Sequence, residues 1–257
     1  NSRLRNMEST GLSITTSLSI LPLAFLGACA ASGGQTMGGE SDALGNGAFV
    51  GSVEISEENL VDNLEDGNDE IIETTDRSGS WYTYNDGSKD GAQTPSADGA
   101  FSPSEGGPEG SKFVARTIGS GFTDWGAGMG LDLNGADTEG ETKGVFDASA
   151  LSGIAFAGKG NATITVNVVI GEVLSKELGG LCDTEDGAGD CDDTHRVTIE
   201  LSEEWTQYVI PFDRLIQTGW GRSVLFDKST LVSIQFTAAD MQTFEFFVDD
   251  LGFYADE

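Results

Sequence analysis

The chain has 257 residues, and 38% of them are hydrophobic, which is enough for the core of one large domain. Its 43 acidic and 13 basic residues give a formal net charge of −30, so nucleic acid and anionic membrane surfaces are poor partners and divalent cations are suitable ones. A solvated acidic surface explains most of this excess without any bound cation.

The first 29 residues have the pattern of an export signal. Arg3 and Arg5 supply positive charge, and the mostly apolar run 12–26 is too short and too often interrupted by Ser and Thr for a membrane-spanning helix. The run ends in Leu26-Gly27-Ala28-Cys29, which resembles the bacterial lipobox. That resemblance implies cleavage before Cys29, a lipid on its thiol and an exported, membrane-anchored lipoprotein. An ordinary signal peptide cleaved nearby is the alternative.

Two compositional regions follow the signal segment. Residues 30–59 are rich in Gly, Ser and acidic residues, which predicts a flexible linker. Residues 60–257 contain short runs of β-branched and aromatic residues separated by Gly, Asp and Asn, without a long helical period. They are predicted to form an all-β domain, an antiparallel β-sandwich or jelly roll of about eight to ten strands. The predicted strands are Phe113 to Ile118, Met129 to Leu133, Gly153 to Ala157, Ala162 to Ile170, Val197 to Leu201, Trp205 to Phe212, Leu231 to Thr237 and Phe244 to Phe253.

The last predicted strand carries an acid among core residues. Phe247, Asp249, Leu251 and Phe253 share one parity and therefore one face of a strand. An ionised carboxylate on that face is costly unless it is paired or bound to a metal. A second acidic stretch lies in residues 60–69, and the first and last strands of a closed sandwich are commonly neighbours. The two stretches together predict a calcium site.

Five motifs, taken in order, resemble jelly-roll carbohydrate-binding modules of the galactose-binding-domain-like superfamily, over roughly residues 60–257. The resemblance implies a structural calcium held by Glu65 and Asp249, with backbone carbonyls and Asp66 or Asp250 completing the oxygen shell. It also implies a polysaccharide or oligosaccharide as the partner. The motifs are Asn63-Leu64-Glu65-Asp66-Gly67, Trp81-Tyr82, Gly121-Phe122-Thr123-Asp124-Trp125-Gly126, Trp205-Thr206-Gln207-Tyr208-Val209-Ile210-Pro211-Phe212 and Phe247-Val248-Asp249-Asp250-Leu251-Gly252-Phe253.

Sugar binding by such folds needs flat aromatic faces for the rings and polar side chains for the hydroxyls. Trp125 and Trp220 are the strongest candidates because glycines adjoin them on loops, whereas Trp205 starts an alternating strand and is assigned to the core. Any of these rings could instead fill the core. The full set of predicted ligand-binding residues is Trp81, Tyr82, Tyr84, Trp125, Trp220 and His195.

The remaining motifs favour export and argue against common catalytic sites. Cys182 and Cys191 flank an acidic loop, and in an exported protein two cysteines so close together are predicted to form a disulfide. The acids of this loop are either solvated or a second calcium site. His195 is the only histidine and no Gly-x-Ser-x-Gly elbow occurs, so a serine hydrolase of that type is not supported.

Three functions therefore stay open. The first is non-catalytic glycan binding by a cell-surface lipoprotein. The second is an envelope domain that binds proteins or is purely structural. The third is a glycan-active hydrolase or lyase, whose two carboxylates cannot be picked out from 43 acidic residues.

Overall fold

The computed structural model describes residues 42–44, 48–136 and 142–256, whose regular secondary structure is mostly β-strand. The predicted signal segment and Cys29 lie outside the described residues. The strands, in chain order, are β1 (Asp42–Leu44), β2 (Ala48–Val50), β3 (Leu60–Asp62), β4 (Trp81–Asn85), β5 (Ala92–Thr94), β6 (Ser104–Glu105), β7 (Phe113–Ser120), β8 (Ala127–Asp132), β9 (Asn134–Ala136), β10 (Lys143–Gly144), β11 (Gly153–Gly160), β12 (Thr163–Ile170), β13 (His195–Glu200), β14 (Thr206–Pro211), β15 (Leu231–Ala238) and β16 (Phe244–Tyr254).

The strands form two main antiparallel sheets. The larger sheet has the order β1-β2-β14-β11-β16-β7-β5, with β3 added beside β16 and β6 beside β7. The smaller sheet has the order β13-β12-β15-β8-β4, and β9 pairs separately with β10. The predicted antiparallel β-sandwich is thus confirmed. All eight predicted strands overlap observed ones, and the expected neighbours β3 and β16 are paired.

The core lies between the two sheets and follows from the period-two alternation. In β12 the side chains of Ile164, Val166 and Val168 are fully buried, and in β15 those of Ile234 and Phe236 are as well. The residues between them, which are largely polar, point to the opposite face of the smaller sheet. The alternation therefore gives this sheet one apolar face toward the core and one largely polar face.

Part of the predicted linker belongs to the sandwich. Strand β2 pairs with β14, and the backbone N–H of Val53 donates to Gln207 Oε1 at 2.7 Å. Val53 and Ile55 pack on the outer face of the larger sheet, against the cluster of Ala155, Val209 and Tyr254. The sequence predicted a flexible linker through residue 59, whereas residues 48–55 pack on the sandwich. The burial of two apolar side chains at alternate positions outweighs the polar composition around them.

Helix in the described part of the chain is limited to four single 3-10 turns. None of them has the length or the apolar character that crossing a membrane requires. The third turn directly follows β14. The turns are Lys176–Leu178, Thr184–Asp186, Phe212–Arg214 and Lys228–Thr230.

The predicted disulfide is present. Cys182 and Cys191 are bonded, with their Cα atoms 5.8 Å apart. The bond closes the acidic loop that leads into β13. By loop-closure entropy, a link of this length contributes roughly 2–3 kcal/mol to the free energy of unfolding.

Candidate functional site

The outer face of the smaller sheet forms a cleft of about 620 Å³. Its floor consists of outward side chains at paired positions, so that Asn167 of β12 lies beside Gln235 of β15, and Thr165 beside Thr237. Hydroxyl and amide groups of this kind both donate and accept hydrogen bonds. The floor therefore presents hydroxyl and amide groups, while Val169, Leu174 and Leu178 add apolar surface to the cleft.

Two glycines make room for aromatic rings on this floor. Gly128 and Gly130 occupy the outward positions of β8, opposite Tyr84 and Tyr82 of the edge strand β4. The hydroxyl of Tyr84 lies 2.7 Å from Thr237 Oγ1, and the Tyr82 hydroxyl accepts from Gln235 Nε2 at 3.0 Å, so both rings reach across β8. A Cβ at Gly128 would lie 2.8 Å from the Tyr84 hydroxyl and 2.1 Å from a backbone oxygen, which only glycine avoids.

The third aromatic ring at this edge is exposed. Trp125 is 47% exposed and stacks on Tyr84, with ring centroids 5.9 Å apart. The Nζ of Lys143 lies 4.9 Å from the centre of the Tyr82 ring. The predicted residues Tyr82, Tyr84 and Trp125 therefore form one aromatic wall beside β4.

Trp220 lines the cleft from the side of β13. Its side chain is 55% exposed, and its loop contacts the residues just before β13, the other edge strand of this sheet. Four strand spacings of about 4.8 Å separate the two edge strands, so the cleft floor is about 19 Å wide. Trp125 and Trp220 are thus exposed indoles at opposite edges of one polar floor.

Both basic side chains that line the cleft have carboxylate partners. Lys143 Nζ lies 2.8 Å from Asp132 Oδ1, and Arg196 Nη2 lies 3.3 Å from Asp193 Oδ1. Burial raises the pKa of Asp132, although Lys143 opposes the shift. Asp192 adds an exposed carboxylate to the lining. The cleft therefore offers no uncompensated cation to an anionic ligand among the described residues.

Two predicted ligand residues lie on the core side and correct the sequence analysis. Trp81 is 2% exposed, stacks between Phe101 and Phe236, and donates its indole N–H to Asp62 Oδ2 at 2.7 Å. His195 is 5% exposed and packs edge-on against Phe226. In both strands the next residue, Tyr82 or Arg196, lies on the outer face of the sheet instead, because alternate side chains face opposite sides of a sheet. Of these two, Arg196 lines the cleft.

Sequence reasoning missed the polar floor itself. Thr165, Asn167, Gln235 and Thr237 were not predicted as site residues, although their strands were assigned a wet face. The available signal was the Gly-x-Gly of residues 128–130 inside a strand. Glycine at alternate positions leaves a strip without side chains, and such a strip commonly marks close approach of a ring, a ligand or another backbone.

The predicted calcium residues Glu65 and Asp249 are neighbours. The hydroxyl of Ser111 lies 2.9 Å from Glu65 Oε1 and 2.8 Å from Asp249 Oδ2, and it is also 2.9 Å from the carbonyl oxygen of Phe113. One hydroxyl has a single hydrogen for these three acceptors. Asp249 is 1% exposed, and burial raises its pKa to about 7, with repulsion from Asp250 and Glu65 contributing. Glu65 Oε1 also accepts from the backbone N–H of Lys112 at 2.7 Å, and Lys112 Nζ lies 4.0 Å from Glu65 Oε2. Asp249 Oδ1 accepts from the backbone N–H of Asp250 at 2.8 Å. Each carboxylate thus has a backbone donor, and the two share the Ser111 hydroxyl.

The other two predicted ligands are arranged differently. Asp66 is directed into its own turn, where its carboxylate accepts from the backbone and side-chain nitrogens of Asn68. Asp250 is exposed on one side, and the partial desolvation of its carboxylate, followed by the charge of Glu65, raises its pKa. The described residues contain no group of three or more His, Cys, Asp or Glu side chains arranged to hold a metal. Any cation here would need backbone carbonyls or water in addition to Glu65 and Asp249.

A β-bulge corrects the predicted parity of the last strand. The ladder between β11 and β16 shifts register between Ala155 and Ala157, opposite Gly252 and Asp249. Before the shift the even-numbered residues Phe246 and Val248 are buried. After it the odd-numbered residues Leu251 and Phe253 are buried. Phe247, which was assigned to the core face, instead contacts Trp205. The extra residue of the bulge changes which parity faces the core and turns Asp249 toward Ser111.

Comparisons with known proteins found similarity in structure but not in sequence. No family model matches the chain, and no curated protein matches it. The fold is similar to that of the family 11 carbohydrate-binding module of the cellulosomal cellulase Lic26A-Cel5E of Clostridium thermocellum. The identity is 16% and the TM-score 0.47, covering 80% of this chain and 97% of that chain.

Two further solved structures are similar at comparable levels. One is a family 11 module from Clostridium thermocellum in complex with a β-1,3-1,4-mixed-linked tetrasaccharide, with 15% identity, a TM-score of 0.44, and coverage of 74% of this chain and 96% of that one. The other is the family 30 module of a cellulosomal cellulase of the same organism, with 11% identity, a TM-score of 0.45, and coverage of 73% and 97%. At these levels, the function of this chain has to be argued from its own cleft.

Proposed function

We propose that the chain binds an uncharged glycan, without chemistry, in the cleft of the smaller sheet. The single observation that carries this proposal is the pair of exposed indoles, Trp125 and Trp220, at opposite edges of one polar floor. Exposed indoles cost free energy in water, and two of them bordering one cleft are explained by a ligand that covers both. A sugar ring suits this arrangement because it has apolar faces for stacking and hydroxyls at its edge.

The charges of the cleft favour an uncharged ligand. Lys143 and Arg196 are each paired with a carboxylate, and the chain carries a formal net charge of −30. An anionic chain would approach against this field without gaining a free cation. The spacing of the two indoles favours an extended chain of several sugar rings over a single terminal sugar, because one ring does not bridge a floor about 19 Å wide.

A polysaccharide panel tests this function. We expect the purified protein to be retained in affinity electrophoresis by at least one uncharged polysaccharide, and to pass freely through uronic-acid or sulfated ones. Calorimetry with oligosaccharides of increasing length should show affinity rising until the chain spans the floor. Binding to no polysaccharide would favour the envelope or structural alternative, and release of new reducing ends would instead indicate a glycan-active hydrolase.

A structural calcium between Glu65 and Asp249 is part of this proposal. The supporting observation is the buried carboxylate of Asp249, which has no basic partner in hydrogen-bond reach among the described residues. It accepts from the backbone N–H of Asp250 and shares one hydroxyl hydrogen with Glu65 and a carbonyl oxygen. The donors are all hard oxygens, which fits calcium in preference to zinc or another soft metal. Calcium would neutralise both carboxylates and join the loop after β3 to β16.

We also propose that the protein is exported and anchored to a membrane by a lipid on Cys29. The lipobox-like tetrapeptide and a disulfide, which suits an oxidising compartment, support this. When the full chain is expressed in a bacterium, mass spectrometry should find diacylglycerol on Cys29, and a Cys29→Ser variant should be recovered without lipid. A free thiol at Cys29 in the mature protein would contradict the anchor.

A further inference from the structure

We propose that Asp86 and Asp193 are positioning residues, each of which holds one of the two tryptophan loops in its binding orientation. This inference rests on the proposed glycan-binding function. Neither carboxylate lines the cleft. Each acts chiefly through the indole whose loop it binds, and Asp193 also pairs with Arg196 Nη2 at 3.3 Å.

Asp193 is a buried carboxylate surrounded by the backbone of the Trp220 loop. Its Oδ1 accepts from the backbone N–H of Thr218 at 3.2 Å and from the Thr218 hydroxyl at 2.9 Å. Its Oδ2 accepts from Gly219 N at 2.8 Å and from Gly221 N at 3.3 Å. Since these donors lie on both sides of Trp220, the carboxylate fixes the backbone from which the indole projects.

The glycines on either side of Trp220 are explained by this arrangement. Gly219 has a φ of +87°, a left-handed conformation that L side chains rarely adopt. A Cβ at Gly221 would lie 2.7 Å from Cβ of Asp193 and 2.7 Å from the carbonyl oxygen of Asp190. Only glycine lets the loop close around the carboxylate. The Gly-Trp-Gly pattern therefore lets this loop surround the carboxylate of Asp193.

The same loop is held from a second direction. Gln217 Nε2 donates to the carbonyl oxygens of Asp193, at 2.6 Å, and Arg222, at 2.9 Å. The backbone N–H of Arg222 donates to the carbonyl oxygen of Asp190 at 2.8 Å, next to the disulfide at Cys191. Both ends of the loop are thus attached to the segment that leads into β13, and Asp193 lies between them.

Asp86 does the same for Trp125 at the other edge of the sheet. It directly follows β4, and its Oδ2 accepts from Asp124 N at 2.9 Å and Gly126 N at 3.0 Å, the two residues that flank Trp125. Its Oδ1 accepts from Ser88 N at 2.9 Å. Gly126 has a φ of +105°, as Gly219 has a positive φ beside Trp220. The two loops share only an adjoining glycine in sequence. In both of them, however, one carboxylate accepts from the backbone N–H groups of the residues on either side of the tryptophan.

Both carboxyl groups are held in the ionised form. Burial opposes ionisation of each, but the hydrogen bonds from Ser88, Gly126 and Asp124 outweigh it and lower the pKa of Asp86. The hydrogen bonds from Thr218, Gly219 and Gly221 likewise outweigh burial and lower the pKa of Asp193. Hydrogen bonds to an ionised acceptor are about twice as strong as neutral ones. An amide in place of either carboxylate would weaken them and would turn an N–H₂ group toward backbone donors.

Double-mutant cycles on glycan affinity test the inference, with the chain otherwise intact. Asp193→Asn is expected to weaken binding about tenfold in the wild-type background and far less in the Trp220→Ala background, where only its ion pair with Arg196 is left to lose. In the Trp125→Ala background its full effect should remain. Asp86→Asn should show the mirror pattern, losing its effect only with Trp125→Ala. Asp227→Asn is the matched control, because Asp227 also accepts from a backbone N–H but lies outside the cleft.

A ligand-free readout separates this inference from the proposed function. Acrylamide quenching assigned to Trp220, by difference from a Trp220→Phe variant, should increase with Asp193→Asn and stay unchanged with Asp227→Asn, in protein that circular dichroism shows to be folded. If the wild type binds no glycan but quenching changes as expected, the proposed function fails and the positioning role stands. Unchanged quenching, or equal losses of affinity in both tryptophan backgrounds, would overturn the positioning role.

Discussion

Replacing Trp125 or Trp220 by alanine is expected to weaken glycan binding about thirtyfold each, which corresponds to a loss of about 2 kcal/mol, the scale of an aromatic hot spot. Each indole is about half exposed in the free protein, so its removal leaves no cavity in the core. Unfolding temperatures should therefore change little. Because the two rings lie at opposite edges of the floor, their effects should add in the double variant.

The control for this experiment is Trp205, which is partly exposed and does not lie in the core to which the sequence assigned it. Trp205 contacts Phe247 near β14 of the larger sheet and does not line the cleft. Trp205→Ala should leave glycan affinity unchanged in calorimetry, although it removes an indole of the same size. Equal affinities for the wild type and the double tryptophan variant would contradict binding in this cleft, whatever the polysaccharide.

Removing calcium with a chelator is expected to lower the unfolding temperature. If calcium is present at a hundred times its dissociation constant, its binding stabilises the folded state by about 2.7 kcal/mol. For a domain of this size, each kcal/mol shifts the midpoint by roughly 2–4 °C, so a drop of about 5–10 °C is expected in scanning calorimetry. Added calcium should restore the midpoint better than magnesium, which requires a smaller and more regular oxygen shell.

Substitutions distinguish a specific calcium site from general screening of the acidic surface. Glu65→Gln and Asp249→Asn should each abolish the response to the chelator, because each removes a charged ligand. Asp66→Asn should keep the response, since its carboxylate accepts from Asn68 within its own turn. An unfolding temperature that chelation leaves unaltered in the wild type would show that no stabilising metal is bound.

The eight longest strands, the closure of the sandwich and the disulfide were predictable, because each depends on a local or nearly local rule. The alternation of polar and apolar residues along 162–168 places every second side chain on the core face, independently of the rest of the chain. Cys182 and Cys191 are close in sequence, so a short loop brings them together. The acids Glu65 and Asp249 were matched across the chain only through the expectation that the first and last strands pair.

The binding face required the tertiary structure. The sequence around Trp81-Tyr82 does not tell which of the two adjacent rings is covered by the second sheet. The packing puts Trp81 in the core and Tyr82 on the outer face of the sheet, where its hydroxyl accepts from Gln235. The bulge in β16 reverses the parity that a regular strand would have given Phe247. Asp86 and Asp193 are two among 43 acids, and only their contacts distinguish them from solvated charges.

The physical reason is the range of the interactions involved. Strand formation is governed by side-chain alternation over a few residues, so composition and spacing suffice to predict it. A binding cleft depends on which sheet face is left uncovered and on which loops meet above it, and both follow from contacts between residues far apart in the chain. The two indoles, 95 positions apart in the sequence, face one floor only after the whole smaller sheet has formed.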